Sequence, residues 1–176
     1  GHLSGIATAT AAFVRQAGKM RICCTRKTTP GLRALEKYAV RCGGGFNHRI
    51  GLYDAALVKD NHIEATGSIS EAVKAVRRHA PFMAKVEVET SNLKQVQEAI
   101  DAGADVIMLD NMSLEQMREA VKLVNKRAWI EASGGITLET IRQVAATGVD
   151  FISSGALTHS APVVDFNMKI TMNVRK

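Results

Sequence analysis

One unit repeats along most of this 176-residue chain: a short apolar run that ends in polar residues, followed by an amphipathic helical segment. Successive runs begin roughly 20 to 35 residues apart, which is the spacing of parallel strands joined by helices. The six runs are Met20–Thr25, Ala55–Lys59, Met83–Glu89, Val106–Asp110, Ala128–Ser133 and Val149–Ser153. Because no hairpin turn separates them, the pattern predicts a parallel α/β sheet covered by helices.

Signals for helix starts support the same unit. Ser68 and Ser113 each begin a capping box, in which a serine is followed three residues later by Glu or Gln. We also predict N-caps at Ser91 and Thr137, and we place Pro30 in the first turn of a helix. Six units of this kind form either a closed barrel or an open doubly wound sheet, and the pattern leaves both open. The missing GxGxxG after the first run counts against a dinucleotide-binding sheet.

The composition narrows the class of protein. Apolar residues make up 46% and charged residues 23% of the chain, as in ordinary globular domains. No apolar run approaches the ~20 residues that span a bilayer, and residues 1–4 lack the layout of a secretory signal. We therefore expect a cytoplasmic protein that does not insert into a membrane. Three cysteines without a CxxC pair predict neither a disulfide framework nor a zinc site.

The formal net charge of +6 favours anionic partners. The basic residues are scattered, and aromatic residues are only 5% of the chain, so there is little material for stacking bases. Small anionic substrates fit this pattern better than nucleic acid does.

Polar residues gather where each apolar run ends. These segments are Thr25–Thr28, Lys59–His62, Lys85–Glu89, Asp110–Asn111, Glu131–Gly135 and Ser153–Gly155. In parallel α/β folds, substrates bind outside the carboxyl ends of the strands. We therefore predict a site assembled from all six strand ends.

The third run carries charge inside the predicted strand. Lys85, Glu87 and Glu89 share one face because side chains alternate with a period of two. Parallel strands are normally apolar on both faces, so a charged face predicts a polar lumen or site. An internal Lys85–Glu87 ion pair is the alternative for those two residues, whereas Glu89 at the strand end is the stronger functional candidate.

Two glycine turns predict phosphate binding. Ser133-Gly134-Gly135 precedes a helix, and Ser154-Gly155 follows the last strand. Glycines let backbone N–H groups approach an anion, and barrels often bind phosphate between their last two strand–helix loops. The alternative is that these glycines only form turns. Cations, carboxylates and a phosphate site together suit phosphoribosyl chemistry as one reaction class.

Ordered motifs carry a resemblance to a known family. The longest is TRKTTPGLR over Thr25–Arg33, and the others are Asn47–Arg49, Leu57–His62, Val86–Glu89, Leu109–Asn111, Glu131–Ile136 and Ser154–His159. Together they resemble quinolinate phosphoribosyltransferase, or nicotinate-nucleotide pyrophosphorylase (carboxylating), from about Leu3 to Ile170. The resemblance implies transfer of a phosphoribosyl group from 5-phosphoribosyl-1-diphosphate to quinolinate, with loss of CO₂.

The resemblance also implies an architecture. The family fold is an α/β sandwich followed by an incomplete, TIM-like parallel barrel of about six βα units. We assign residues 1–18 to a connector helix from a sandwich domain that is missing here, and residues 19–162 to the barrel. Residues 163–176 form a tail that would return to that domain, and Val163–Ile170 alternates like a strand. Because the missing domain supplies an arginine to a neighbouring subunit's site, we expect this chain alone to be weakly active or inactive.

Residue roles follow from the same resemblance. It implies that the quinolinate carboxylates are bound by Arg26, His48, Arg49 and Lys59. It implies that the 5′-phosphate is bound by Ser133, Gly134, Gly135, Ser154 and Gly155. The implied catalytic residues are Lys27, Lys59, Glu89 and Asp110. Lys27 would face the diphosphate, while Glu89 and Asp110 would hold ribose hydroxyls or Mg²⁺, which enters mainly with the diphosphate substrate. No organic cofactor is implied, and the family forms homodimers or larger assemblies.

Two alternatives remain open. One is a paralogous phosphoribosyltransferase that uses another carboxylic acid. The other is a barrel without catalytic activity that binds phosphate or a nucleotide.

Overall fold

The structure is a computed structural model and describes residues 1–171. Its strands are β1 (Arg21–Cys23), β2 (Ala56–Val58), β3 (Val86–Thr90), β4 (Val106–Asp110), β5 (Trp129–Ser133) and β6 (Phe151–Ser153). Its helices are α1 (His2–Ala17), α2 (Arg33–Cys42), α3 (Asp60–Thr66), α4 (Ile69–His79), α5 (Leu93–Asp101), α6 (Leu114–Val124), α7 (Ile141–Ala145) and α8 (Ala156–His159). Each predicted apolar run contains one strand or overlaps most of one.

The strands form one parallel sheet in the order β1-β6-β5-β4-β3-β2. The order follows the chain around the sheet without reversing direction, which excludes the doubly wound alternative because that fold winds both ways from its first strand. β1 and β2, at the two ends of this order, are not paired with each other. The sheet is therefore an incomplete barrel with one open seam, as predicted.

A short loop partly closes the seam. Cys23 forms an isolated parallel bridge with Phe46. The Phe46 amide donates to the Ile22 carbonyl at 2.7 Å, and the Cys24 amide donates to the Phe46 carbonyl at 3.1 Å. The loop of residues 46–50, called the seam loop below, thus runs beside β1 in the place that a further strand would occupy.

Side chains alternate across the sheet as predicted for the third run. Val86 and Val88 of β3 are fully buried in the apolar core beneath the helices. Glu87, between them, lies among the cavity-lining residues of the lumen. The predicted alternative of a Lys85–Glu87 ion pair is wrong, because Lys85 precedes β3 and its Nζ contacts Asp105 at 3.4 Å instead.

Capping side chains mark the starts of three helices, α4, α5 and α6. Ser68 accepts from the Glu71 amide at 3.1 Å, and Ser113 makes a complete capping box. The prediction at Ser91 is wrong by one residue, because Asn92 accepts from the Gln95 amide at 3.0 Å.

Three further helix starts differ from prediction. Pro30 lies in a turn, and α2 begins three residues later at Arg33. Thr137 lies in the turn before Thr140, the N-cap of α7. α3 was not predicted, because none of its residues is buried and it therefore lacks an apolar period.

The two ends of the chain behave differently. α1 packs on the barrel and buries Ile6 and Phe13. Residues 163–170 form no strand, and Val163, Phe166 and Ile170 remain more than half exposed. A single extended segment without a partner strand has no ladder of hydrogen bonds to hold it. The prediction for residues 172–176 lies outside the described residues. Within residues 1–171, no helix is both long and apolar enough to cross a bilayer.

Candidate active site

The carboxyl ends of the strands surround one cleft of about 710 Å³. All of the predicted site residues line it. They are Arg26, Lys27, His48, Arg49, Lys59, Glu89, Asp110, Ser133, Gly134, Gly135, Ser154 and Gly155. The barrel topology brings these residues together from segments more than a hundred positions apart in sequence, because the ends of parallel strands meet at one edge.

The turn after β1 supplies two of the cations. Thr25 accepts from the Lys27 amide at 3.0 Å, which folds the chain back and directs both Arg26 and Lys27 to the cleft lining. Thr158 donates to the Lys27 carbonyl at 2.6 Å and fixes this turn to α8. The Nε atom of Arg26 is buried and has no hydrogen-bond partner among the described residues. The Nε–H of Arg26 is therefore an unused donor that is available to a ligand.

Arg49 enters the cleft from the loop that closes the seam. Its Nη1 donates to the Ala55 carbonyl at 3.2 Å, which leaves other guanidinium donors available. Burial, followed by the positive charge of Arg26, lowers the pKa of Arg49. Two guanidinium groups that repel one another in a partly buried site are stabilised by an anion bound between them.

His48 lies at the floor of the cleft between two buried carboxylates. Its Nε2 is 3.0 Å from Glu87 and 3.2 Å from Glu131. Burial opposes protonation, but hydrogen bonds and charge from Glu131 and Glu87 prevail and raise the pKa of His48 to about 10. The Arg49 amide also lies 2.9 Å from His48 Nδ1, a contact that suits the neutral ring.

These contacts favour different protonation states of the ring. Two buried carboxylates outweigh one backbone amide, so His48 is an imidazolium at neutral pH. In that state its Nδ1–H faces an amide donor and lacks an acceptor among the described residues.

The two predicted acids occupy the rim of the cleft. Glu89 pairs with Lys59 through a short contact between Oε2 and Nζ. Asp110 accepts from the Asn111 side-chain amide at 2.9 Å and forms no ion pair among residues 1–171. The cleft thus places one balanced pair and one free carboxylate opposite the arginines.

The first glycine turn approaches its neighbours too closely for a side chain. Gly134 has φ +85°, and a Cβ there would lie 2.3 Å from Asn111 Oδ1. Gly135 also has a positive φ, +61°. Ser153 donates to Ser133 at 3.0 Å and joins the ends of β5 and β6 beneath this turn.

The second glycine turn is equally crowded. A Cβ on Gly155 would lie 2.9 Å from His159 Nε2 and 3.0 Å from Lys27 Cδ. Backbone and small side chains therefore form this part of the cleft, which is the composition expected of a phosphate cradle.

Some lining residues were not singled out from the sequence. Asn111 was predicted to be a polar residue at a strand end, with no role assigned to it. Its left-handed backbone (φ 53°) turns its side chain between Asp110 and Gly134. An asparagine after a buried strand was the available signal. Glu87 was predicted to face the lumen, with an ion pair to Lys85 as the alternative. Its true partner, His48, is 39 positions away and could not be found from spacing.

A second cavity of about 400 Å³ lies on the other side of His48. It opens near the amino ends of the strands, where Ala56, Val106 and Phe151 line it. His48 and Arg49 line both cavities. The seam loop thus forms the wall between them.

The fold and the site together define an α/β barrel of the TIM type whose cleft, at the strand ends, is lined by cations, carboxylates and glycine turns. The chain belongs to the quinolinate phosphoribosyltransferase family, since the model of that family's C-terminal domain matches residues 6–169.

Individual relatives agree with this membership. The chain is 54% identical to the probable nicotinate-nucleotide pyrophosphorylase (carboxylating) of Bacillus subtilis, over 98% of this chain and 60% of the relative. It is 47% identical to the Mycobacterium leprae nicotinate-nucleotide pyrophosphorylase (carboxylating), over 96% of this chain and 61% of that one. The crystal structure of Streptococcus pyogenes NadC superimposes with a TM-score of 0.91 at 53% identity, covering 96% of this chain and 60% of that one. The chain thus spans about 60% of the length of these relatives.

Proposed function

We propose that this barrel carries the site for phosphoribosyl transfer to quinolinate, giving nicotinate mononucleotide, diphosphate and CO₂ in NAD biosynthesis. The pyridine nitrogen would form a bond to C1 of 5-phosphoribosyl-1-diphosphate as the bond from C1 to the diphosphate breaks. Loss of CO₂ would leave an electron pair on the ring carbon, which would take up a proton. The names of the relatives and the arrangement of charges in the cleft support this proposal.

The observation that most directly supports the proposal is a cluster of cations at one end of the cleft. We call this the acid end, because it would bind the carboxylates of the acid substrate. Arg26 and Arg49 repel one another there, and the imidazolium of His48 is the third cation. Lys59 lies at the rim, where Glu89 balances its charge. Both arginines have surplus donors that no described residue uses. This surplus favours a dicarboxylate over an acid with one carboxylate, because each carboxylate can take a bidentate or charge-assisted pair.

The phosphate end lies across the same cleft. Gly134, Gly135 and Gly155 let backbone N–H groups approach a 5′-phosphate closely. Lys27, beside Gly155, is placed to meet the diphosphate. A ligand with a carboxylate at one end and a phosphate at the other therefore matches both ends.

The carboxylates of Glu89 and Asp110 would stabilise positive charge that develops on the ribose ring in the transition state. Neither reactant requires a nucleophile from the protein, so positioning and charge provide the catalysis. Mg²⁺ fits this donor set, since hard cations take carboxylate oxygens and Asp110 forms no ion pair within residues 1–171. When bound, the metal would neutralise charge on the departing diphosphate.

Several properties of the longer relatives are part of this proposal. A homo-oligomer and dependence on a sandwich domain follow from the resemblance, whereas a cytoplasmic location is proposed from the sequence. The same holds for a weakly active or inactive chain when that domain is absent. Among the alternatives, another acid substrate is ranked second because the acid end carries more cations than one carboxylate needs.

The test is a calorimetric titration of nicotinate mononucleotide into the purified chain, with Arg26→Ala alongside. Arg118→Ala is the matched control, because that arginine lies on α6 outside the cleft lining. We expect saturable binding that Arg26→Ala weakens by at least about tenfold, the effect of losing a charge-assisted pair. The control should bind like the unmodified chain.

Absence of binding by a folded chain would contradict the assignment for the barrel alone. A second experiment distinguishes the remaining hypotheses. The N-terminal region of the Bacillus subtilis relative is added, and turnover of quinolinate and of nicotinate is then measured. Turnover of quinolinate excludes the non-catalytic barrel. Faster turnover of nicotinate would favour the paralogue.

A further inference from the structure

We propose that Lys37 is a positioning residue that holds the seam loop in register, and so sets the spacing of Arg26 and Arg49 at the acid end. The inference rests on the proposed function, since it concerns binding of the acid. Lys37 lies on α2, outside the cleft lining, and touches no proposed substrate position.

The contacts of Lys37 join two separate segments of the site. Its Nζ donates to the His48 carbonyl at 3.0 Å and to Cys24 Sγ at 3.1 Å. Cys24 lies two residues before Arg26, and His48 immediately precedes Arg49. One side chain therefore links the backbone carrying the first arginine to the backbone carrying the second.

Cys24 extends this link across the seam. Its thiol accepts from Lys37 and donates to Asn47 Oδ1 at 3.5 Å. Cys24 is fully buried, and Lys37 is only 2% exposed. The chain Lys37–Cys24–Asn47 is thus a hydrogen-bond relay from the buried side of α2, through the residue after β1, to an exposed asparagine of the loop.

The seam loop needs such a tether. Elsewhere in the sheet, ladders of two or more residue pairs fix the position of each strand. At the seam, the one bridge between Cys23 and Phe46 ends two residues before His48. Beyond it, Lys37 anchors the backbone carbonyl of His48, while Glu87 of β3 and Glu131 of β5 hold its ring.

The burial of Lys37 is unusual for an amino group. Buried lysines are normally paired with carboxylates, yet no carboxylate lies within 4.0 Å of Nζ among residues 1–171. Its partners are the His48 carbonyl and the Cys24 thiol, and Cys24 is buried in an apolar cluster with Ile6, Ala39 and Val40. An ion pair therefore does not account for this lysine, whereas a tether does.

The test compares Lys37→Met with Lys74→Met. Methionine keeps most of the buried volume and removes the donors. Lys74 pairs with Glu71 on the exposed face of α4 and controls for loss of a lysine charge. We expect Lys37→Met to weaken quinolinate binding by about tenfold or more and to leave binding of inorganic phosphate within about twofold. Lys74→Met should change neither.

Hydrogen exchange gives a readout that does not depend on the substrate. In Lys37→Met, the amides of residues 46–50 should exchange faster, while those of β3 to β5 keep their protection. Unchanged exchange in the loop would overturn the inference, whatever the binding result. If the unmodified chain does not bind quinolinate but the loop loosens as expected, the proposed function fails and the tether stands.

A second variant guards against failure to fold. Lys37→Gln keeps one donor group on a shorter side chain, so it should loosen the loop less than methionine does. If a folded Lys37→Gln variant has unchanged loop exchange and unchanged quinolinate affinity, Lys37 is not a tether.

Discussion

His48 Nε2 and Glu87 Oε2 lie 3.0 Å apart and connect the seam loop of the barrel to β3. The contact crosses the side of the barrel where β1 and β2 are not paired. A histidine from a loop and a carboxylate from a strand thus take the place of a missing strand pair, and they do so directly beneath the acid end of the cleft. Stability and, in the proposed function, binding of the acid depend here on the same ring.

The stability that His48 contributes should depend on pH. Its pKa is raised from an ordinary 6.5 to about 10 by Glu131 and Glu87, which outweigh burial. A raised pKa in the folded state means that this contribution is complete below pH 6.5 and is lost as the pH rises through 10. Between those limits the unfolding equilibrium constant should rise by up to about tenfold per pH unit through this group.

Urea unfolding of the unmodified chain and of His48→Gln at a series of pH values measures this effect. The difference in unfolding free energy between the two should shrink as the pH rises from 7 to 10, because the variant lacks the titrating ring. Groups that do not contact His48 titrate in both proteins and cancel. A difference that stays constant with pH would show that His48 is neutral in the folded state.

Gly134→Ala should damage the phosphate end of the cleft. The substitution places a Cβ 2.3 Å from Asn111 Oδ1 and imposes φ +85° on an alanine. Gly67→Ala is the matched control, since Gly67 has the same φ of +85° and nothing within 4 Å of its Cβ. Both should lose about 1–2 kcal/mol of stability from backbone strain.

Only Gly134→Ala should also weaken phosphate binding, because Asn111 must move. Thermal unfolding measures the first effect, and titration with nicotinate mononucleotide measures the second. Equal affinities for the two variants would show that the turn at Gly134 does not contact the phosphate.

Glu89→Gln should lower turnover much more than stability. Glu89 pairs with Lys59, whose side chain is 46% exposed, so loss of the pair costs at most about 1 kcal/mol. Loss of a carboxylate that stabilises charge in a transition state typically lowers kcat by about 10² to 10³. Steady-state kinetics in a preparation that turns over quinolinate checks the expectation.

Glu71→Gln is the control for Glu89→Gln, because it removes an exposed carboxylate that also pairs with a lysine. It should leave kcat unchanged. A fall in kcat of less than about threefold for Glu89→Gln would assign Glu89 to holding Lys59 alone.

Much of this protein follows from its sequence. The period of the apolar runs determined six parallel strands, because burial beneath helices requires apolar side chains at fixed spacing. The polar strand ends determined the rim of the site, since parallel strands must end at one edge. Arg26, Glu89, Asp110 and the glycine turns are all local to such ends.

The sequence predicted the helix boundaries less well than it predicted the strands. A capping side chain competes with its neighbours, and Asn92 prevails over Ser91 through one hydrogen bond. α3 has no periodic apolar residues and therefore could not be predicted from the sequence. Val163–Ile170 has the alternation of a strand but no partner to pair with, and alternation alone does not make a sheet.

Only the tertiary structure decided how the seam is closed. The sequence separates Lys37 from Cys24 by 13 positions and His48 from Glu87 by 39, and nothing in the spacing joins them. These contacts arise because β1 and β2 do not pair and a loop fills the gap. Residue patterns record which side chains are buried, but the partner of a buried charge depends on where the chain returns in space.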